Sequence, residues 1–246
     1  MKEFIDKIGF PRFIIALFLI GLIILAVAID IPLSGLITDI LVRFCINSIL
    51  VLAMVPAVQS GIGLNFNLPL GIVFGLIGAL ISIEFQLSGF KGFLISILIA
   101  IPLAVLFGYL YGRMLNKIKG QEMTVGTYIG FSVVSLMCIF WLIAPFKSPE
   151  LIWAYGGSGL RVTVSLESSM AHVLNDLLAF KIGNVVVPTG LLLFFALCAF
   201  IVWVYNRSKR GLSMRVAGSN EEFALSNGID VSRERIIGTI FSTVLA

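Results

Sequence analysis

The chain has 246 residues, 59% of them hydrophobic before its 24 glycines are counted, and only 12% charged. Soluble domains run at about 45–50% apolar with glycine included and about 25% charged, so a soluble enzyme, a nucleic-acid binder and a disordered scaffold are excluded. The net charge of +4 and the pI near 9.1 do not restore a nucleic-acid partner, because the basic residues lie between apolar runs.

A helix needs about 20 mostly apolar residues to cross a bilayer. Such runs fall at 13–29, 40–59, 68–83, 92–111, 125–145 and 187–205, and a seventh opens at Ile236 and stops at Ala246. The last is roughly half a crossing at about 1.5 Å per residue. The fold expected is therefore all-α: a single polytopic membrane domain over 1–246, with about six complete transmembrane helices and the start of a seventh. The chain is expected to continue beyond Ala246. The first run is a full span without a closely following small-residue cleavage signal, so it stays as a helix.

Lysines and arginines orient the bundle. With the N-terminus inside, the inner segments hold Lys2, Lys7, Arg12, Arg113, Lys117, Lys119, Arg207, Lys209, Arg210, Arg215, Arg233 and Arg235. The outer segments hold Lys91, Lys147, Arg161 and Lys181, and Arg43 sits near the start of the second span. The bias predicts a cytoplasmic N-terminus in a plasma or inner membrane. Trp141, Trp153 and Tyr155 at the outer end of the fifth span, and Trp203 and Tyr205 at the inner end of the sixth, suit the headgroup layer.

Polar groups within the spans are few, and an ionisable one costs at least about 2.5–3.5 kcal/mol at mid-membrane. In the second span Arg43 follows Asp39 by four residues, the spacing of a same-face ion pair. Asn47 continues that face one turn deeper, where it could line a hydrophilic path or bond to a neighbouring helix. Between the second and third spans, Gln59, Ser60, Asn65 and Asn67, with Gly61, Gly63 and Pro69, interrupt the apolar character. They fit either an inner-face turn or a broken backbone lining a translocation path. Glu84, near the outer end of the third span, has no evident partner in the sequence. Cys45, Cys138 and Cys198 lie far apart in apolar runs, without metal-ligand spacing, and read as small core hydrophobes.

The outer loop covers about 146–186. Leu166, Met170, Val173, Leu174, Leu177 and Leu178 recur there at helical spacing, with Glu167, His172 and Asp176 between them. This predicts a short amphipathic helix, either on the membrane surface or over the bundle top. His172, the one histidine, has no partner for metal or nucleophilic chemistry.

The inner loop, about 206–236, begins with the basic cluster Arg207, Lys209 and Arg210. Ser219-Asn220-Glu221-Glu222 then reads as a capping box, with Ser219 as the cap and Glu222 reaching back. Two acids in the first turn suit the positive helix end, and Gly228 supplies a left-handed terminus. A helix over 220–227 is predicted. Isolated helices this short are marginal in water, so it either packs on the bundle or serves as a rigid docking knob with Phe223 and Leu225 as apolar contacts.

The run Gly211-Leu212-Ser213-Met214-Arg215-Val216-Ala217-Gly218-Ser219-Asn220-Glu221-Glu222-Phe223-Ala224-Leu225-Ser226-Asn227-Gly228-Ile229 resembles the cytoplasmic loop of ABC-importer permeases of the ribose and simple-sugar type, with branched-chain amino acid permeases as relatives. The resemblance rests on Arg215, Gly218, Asn220, Glu222, Ala224, Gly228 and Ile229. Importers more broadly carry Glu-Ala-Ala-x3-Gly, and Glu222-Phe223-Ala224 departs from it at the middle position. The family's Gly-Ile-Asp-Leu-Ser segment corresponds to Gly61-Ile62-Gly63-Leu64-Asn65-Phe66-Asn67, with Gly63 and Asn65 in place of the acid and the serine.

The resemblance implies a permease subunit that passes a small polar solute, a simple sugar or nucleoside, from an external substrate-binding protein to the cytoplasm. A branched-chain amino acid is the alternative cargo. It implies ATPase-coupling residues Arg215, Gly218, Ser219, Asn220, Glu222, Phe223, Ala224 and Gly228. The translocation path would use Asn47, Gln59, Asn65 and Asn67. A second permease subunit, identical or different, completes the assembly in the lipid. No Gly-x4-Gly-Lys-Ser/Thr phosphate loop occurs, so no cofactor is expected on this chain and ATP belongs to a separate cytoplasmic subunit. A secondary transporter or channel would want an intramembrane carboxylate chain or charge ring, and an intramembrane enzyme an acid pair.

Overall fold

The computed structural model describes residues 10–29, 32–66, 68–146, 148, 151, 170, 173–183 and 185–246. Seven helices follow the predicted runs: α1 (Phe10–Ala28), α2 (Leu33–Gln59), α3 (Leu68–Glu84), α4 (Gly89–Leu115), α5 (Glu122–Ile143), α6 (Thr189–Arg207) and α9 (Val231–Leu245). Two shorter helices, α7 (Lys209–Ser219) and α8 (Glu221–Ser226), join α6 to α9. The molecule is a helical membrane bundle. Helices α2, α4, α5 and α6 are long and apolar enough to cross a bilayer, and α1 and α3 are shorter apolar helices. Their large hydrophobic side chains face outward, as in Ile24, Leu98, Phe131 and Ile143, an arrangement that lipid, not water, accommodates.

Helix α9 lies at the centre, packed on α4, α2, α3 and α7. The close approach to α4 follows from small residues. A Cβ added at Gly112 would stand 3.1 Å from the Ile236 Cα and 3.2 Å from the Thr239 Cβ, and one at Gly108 would stand 3.1 Å from the Ile240 Cα. On the far side of α9, a Cβ at Gly238 would meet Ser60 Oγ at 2.5 Å and the Pro56 carbonyl at 2.9 Å. The hydroxyls of Thr239 and Thr243 donate to the carbonyls of Arg235 and Thr239, each at 2.9 Å, so this buried polar stripe is satisfied within its own helix. Two apolar clusters complete the bundle. Ile62, Leu70, Phe74, Ala104, Tyr111 and Leu115 pack between the α2–α3 turn, α3 and α4, while Val73, Leu80, Ile83, Met137 and Leu151 join α3 to α5.

At the end away from α7 and α8, several expectations change. Helix α2 begins at Leu33, seven residues before the run at 40, because Pro32 presets an extended entry at φ −66°. Asp39 and Arg43 are both exposed and are not paired with each other. Glu84 accepts a hydrogen bond from the Ser148 backbone N–H at 3.2 Å, so it has a partner that sequence spacing could not reveal. Residues 173–178 form turns and bends, not helix. Residues 152–169 and His172 lie outside the described residues. An antiparallel hairpin, β1 (Phe180–Ile182) with β2 (Val185–Val187), follows in register Phe180↔Val187. It docks on α2 through Val186 N–H to Thr38 Oγ1 at 3.1 Å.

Candidate coupling surface and path residues

The loop from α6 to α9 folds as two capped helices around a small core. Ser208 caps α7, accepting from the Gly211 N–H at 3.1 Å. Helix α8 is capped by Asn220, whose Oδ1 accepts from the Phe223 N–H at 2.9 Å. This corrects the expected capping box. Ser219 is the last residue of α7 and its hydroxyl donates to the Val216 carbonyl at 3.1 Å. The α7 terminus has moved the cap one position along the chain, and α8 spans Glu221–Ser226, shorter than 220–227.

The far end of α8 closes as the sequence predicts. Gly228 takes φ +74°, its N–H bonds to the Leu225 carbonyl at 3.0 Å, and the Ile229 N–H bonds to the Ala224 carbonyl at 2.9 Å. This is a Schellman closure. The same chemistry ends α2: Gly61 takes φ +78°, its N–H bonds to Val58 O, and the Ile62 N–H bonds to Ala57 O. Both Gly-Ile pairs are helix stops with the following isoleucine turned inward.

Ala217, Ala224 and Val231 form the core of the unit, with Val216 and Ile229 packed on it. Ala224 is fully buried, whereas Phe223 is 56% and Leu225 57% exposed. The departure from Glu-Ala-Ala therefore falls on an outward position, and the retained alanine is the one without room to grow. Phe223 and Leu225 leave an apolar tip beside Glu221 and Glu222 on a helix fixed at both ends. Arg215 Nη2 donates to the Asn206 carbonyl at 3.0 Å and ties α7 back to the α6 end.

The unit is joined to the bundle through glycine. A Cβ on Gly218 would meet the Gln59 carbonyl oxygen at 2.2 Å and Gly61 N at 2.7 Å, and a Cβ on Gly61 would meet the Gly218 Cα at 2.9 Å. Backbone touches backbone here, so the motif loop and the end of α2 adjoin without an intervening side chain. The two glycine motifs, over 150 residues apart in the chain, form one contact. The sequence marks both glycines and gives no sign that they meet.

Of the candidate path residues that the structure describes, Asn47 lies apart from Gln59 and Asn65. Asn47 is exposed on α2, in a groove of about 430 Å³ lined also by Phe44, Ser48, Val51, Leu52, Val55 and Phe195. Gln59 is twelve residues further, about 18 Å along the helix, half-buried, with its Oε1 unbonded. Asn65 is buried in the α2–α3 turn and its Nδ2 donates to Ser242 Oγ on α9 at 2.8 Å. In this conformation it fastens the turn to α9. Asn67 lies outside the described residues. Residues 60–66 are turn and bend between two helix ends, the turn alternative of the sequence reading.

Sequence reasoning missed the charged contacts of the α4–α5 linker, 116–121. Lys119 pairs with Glu221 of α8, both exposed, and Arg235 of α9 pairs with Glu122 of α5, both largely buried. Asn116 Nδ2 donates to the Ser232 carbonyl at 2.8 Å. Among the described residues no group of histidine, cysteine or acid side chains could hold a metal.

The family model described as branched-chain amino acid transport system / permease component matches residues 36–246. No curated protein and no solved structure matches the chain.

Proposed function

The chain belongs to the branched-chain amino acid transport system / permease component family, and from that premise we propose that it is the membrane subunit of an ATP-driven importer. Its cargo is a small polar solute, a simple sugar or nucleoside, delivered by an external binding protein. Helix α8 receives a separate cytoplasmic ATP-binding subunit, and a second permease subunit, identical or different, completes the pathway in the plasma or inner membrane. One observation carries the reading: α8 is closed at both ends and seated on a buried alanine, yet holds Phe223 and Leu225 out to solvent. A short helix so constrained transmits displacement as a rigid body. The contact of Gly218 with Gln59 and Gly61 then passes it to α2.

Orientation follows the charge bias, with the N-terminus and the α7–α8 end cytoplasmic. Single cysteines at 119 and 210, in a variant lacking the three native ones, should react with membrane-impermeant reagent only after permeabilisation. The coupling assignment is tested by Phe223→Asp, which leaves the bundle untouched and places a charge in an apolar interface. The variant should insert and melt as wild type, while copurification of the ATPase subunit and uptake both fall. Normal uptake refutes it.

A second cargo has its own observation. The groove beside Asn47 is lined mainly by Phe44, Val51, Leu52, Val55 and Phe195, which suits an aliphatic side chain next to one amide. Competition of labelled solute uptake by sugars against branched-chain amino acids decides between the two.

A further inference from the structure

Helix α5 has its chief helix packing on α3 among the described residues. Its tie to the motif unit is made at one end, by the linker and by the first residue of the helix. The three contacts made there differ in burial. Lys119 and Glu221 are about half exposed, and exposed pairs of this kind hold little. Asn116 to Ser232 O is likewise a surface contact. The Arg235–Glu122 pair is different, with side chains only 6% and 13% exposed. Glu122 is held from the other side as well, its Oε2 accepting from the Gly120 N–H at 2.8 Å. Separating two buried opposite charges leaves both uncompensated in a poorly solvated place, so this pair resists opening where the other two do not.

The same junction carries two unmet groups of opposite kind. Asn116 Oδ1 is a buried acceptor and Arg235 Nε a buried donor, and neither has a hydrogen-bond partner. Asn116 is bound one turn away, at Ser232, about 4.5 Å along α9 from Arg235.

We propose that the α4–α5 linker is a second coupling element, in which Glu122 and Arg235 are positioning residues that make α5 follow the α8–α9 unit when the ATPase subunit moves it. The proposal rests on the importer reading above. Motion applied at α8 reaches α2 through Gly218 and reaches α5 through the buried pair, so two helices are displaced together.

The experiment uses the assembled permease, ATPase subunit and external binding protein in vesicles, starting from a cysteine-free permease. Glu122 and Arg235 are both replaced by cysteine and bridged with a short bifunctional thiosulfonate reagent that dithiothreitol removes. Solute moved per ATP hydrolysed is read on the same protein before and after reduction, alongside Glu122→Gln. Spin labels carried on unnatural amino acids, outside the thiol chemistry, at Tyr128 on α5 and Ser232 on α9 report their separation. The bridged form should transport near the wild-type ratio. Reduction, and Glu122→Gln, should lower the ratio about fivefold or more, within the usual range of coupling factors, and broaden the label distance while ATP hydrolysis continues. An equal ratio in bridged and reduced forms, with Glu122→Gln like wild type, overturns the proposal. Wild-type vesicles whose ATP hydrolysis is indifferent to loaded binding protein would instead sink the importer reading itself.

Discussion

Replacing Gly218 with alanine tests the contact on which the coupling argument turns. The new Cβ would lie 2.2 Å from the Gln59 carbonyl oxygen, 2.7 Å from Gly61 N and 2.9 Å from the Gln59 carbonyl carbon. Comfortable carbon contacts begin near about 3.5 Å, so the two backbones must separate by roughly 1 Å. No side chain can rotate away to make that space, since the three nearest atoms are all main chain. Nor can the end of α2 recede freely, because Gly238 of α9 presses on Ser60 and Pro56 from another side. Overpacking of this kind costs about 1–3 kcal/mol, or a melting shift of about 2–4 °C for each kcal/mol in a chain of this size. The control is Gly75→Ala in α3, where a Cβ meets nothing within 4 Å and alanine is the better helix former by up to about 1 kcal/mol. Thermal unfolding of both variants in one detergent, followed by vesicle uptake with the ATPase subunit, measures the difference. Gly218→Ala should melt several degrees lower and transport less, with Gly75→Ala at or above wild type. Equal melting and equal uptake for Gly218→Ala would show that the two backbones are not held in rigid contact.

Four further outcomes are expected. Asn220→Ala should cost about 1 kcal/mol of local stability and speed amide exchange in α8 by about fivefold, whereas Ser219→Ala should leave it unchanged; equal effects would return the cap to Ser219. Gly228→Val forces a β-branched residue to φ +74°, a strain of about 1–2 kcal/mol, and should lower uptake while the bundle melts normally. Gly112→Leu should prevent α4 from closing on α9, read as loss of monodisperse protein on gel filtration. Asn65→Leu strands the buried Ser242 hydroxyl, at about 1–3 kcal/mol, and should lower the melting point, whereas the exposed Asn47→Leu should melt as wild type and show its effect in uptake rate alone.

The number and order of apolar helices were legible in composition and run length, because lipid imposes a near-uniform apolar surface on any spanning segment. Gly228 as a helix stop was legible for a local reason: only the preceding helix and the absence of a Cβ are needed to set its backbone. The motif loop was recognisable as a string of residue types, down to the alanine at 224. The cap was misplaced by one residue because Ser219 and Asn220 are both competent caps, and the choice between them falls to α7, whose final turn takes up Ser219. Tertiary structure alone decided which glycines touch. Gly61 and Gly218 are each small enough for backbone contact, but small size permits an approach without naming the partner. It also decided that Asn65 bonds Ser242, and that Glu122 and Arg235 share one buried place. A charge near a helix start reads the same whether it faces water or a buried partner on another helix; only the folded chain brings the first turn of α5 to Arg235 of α9 with both side chains largely buried, which turns an ordinary first-turn acid into a tie between two helices.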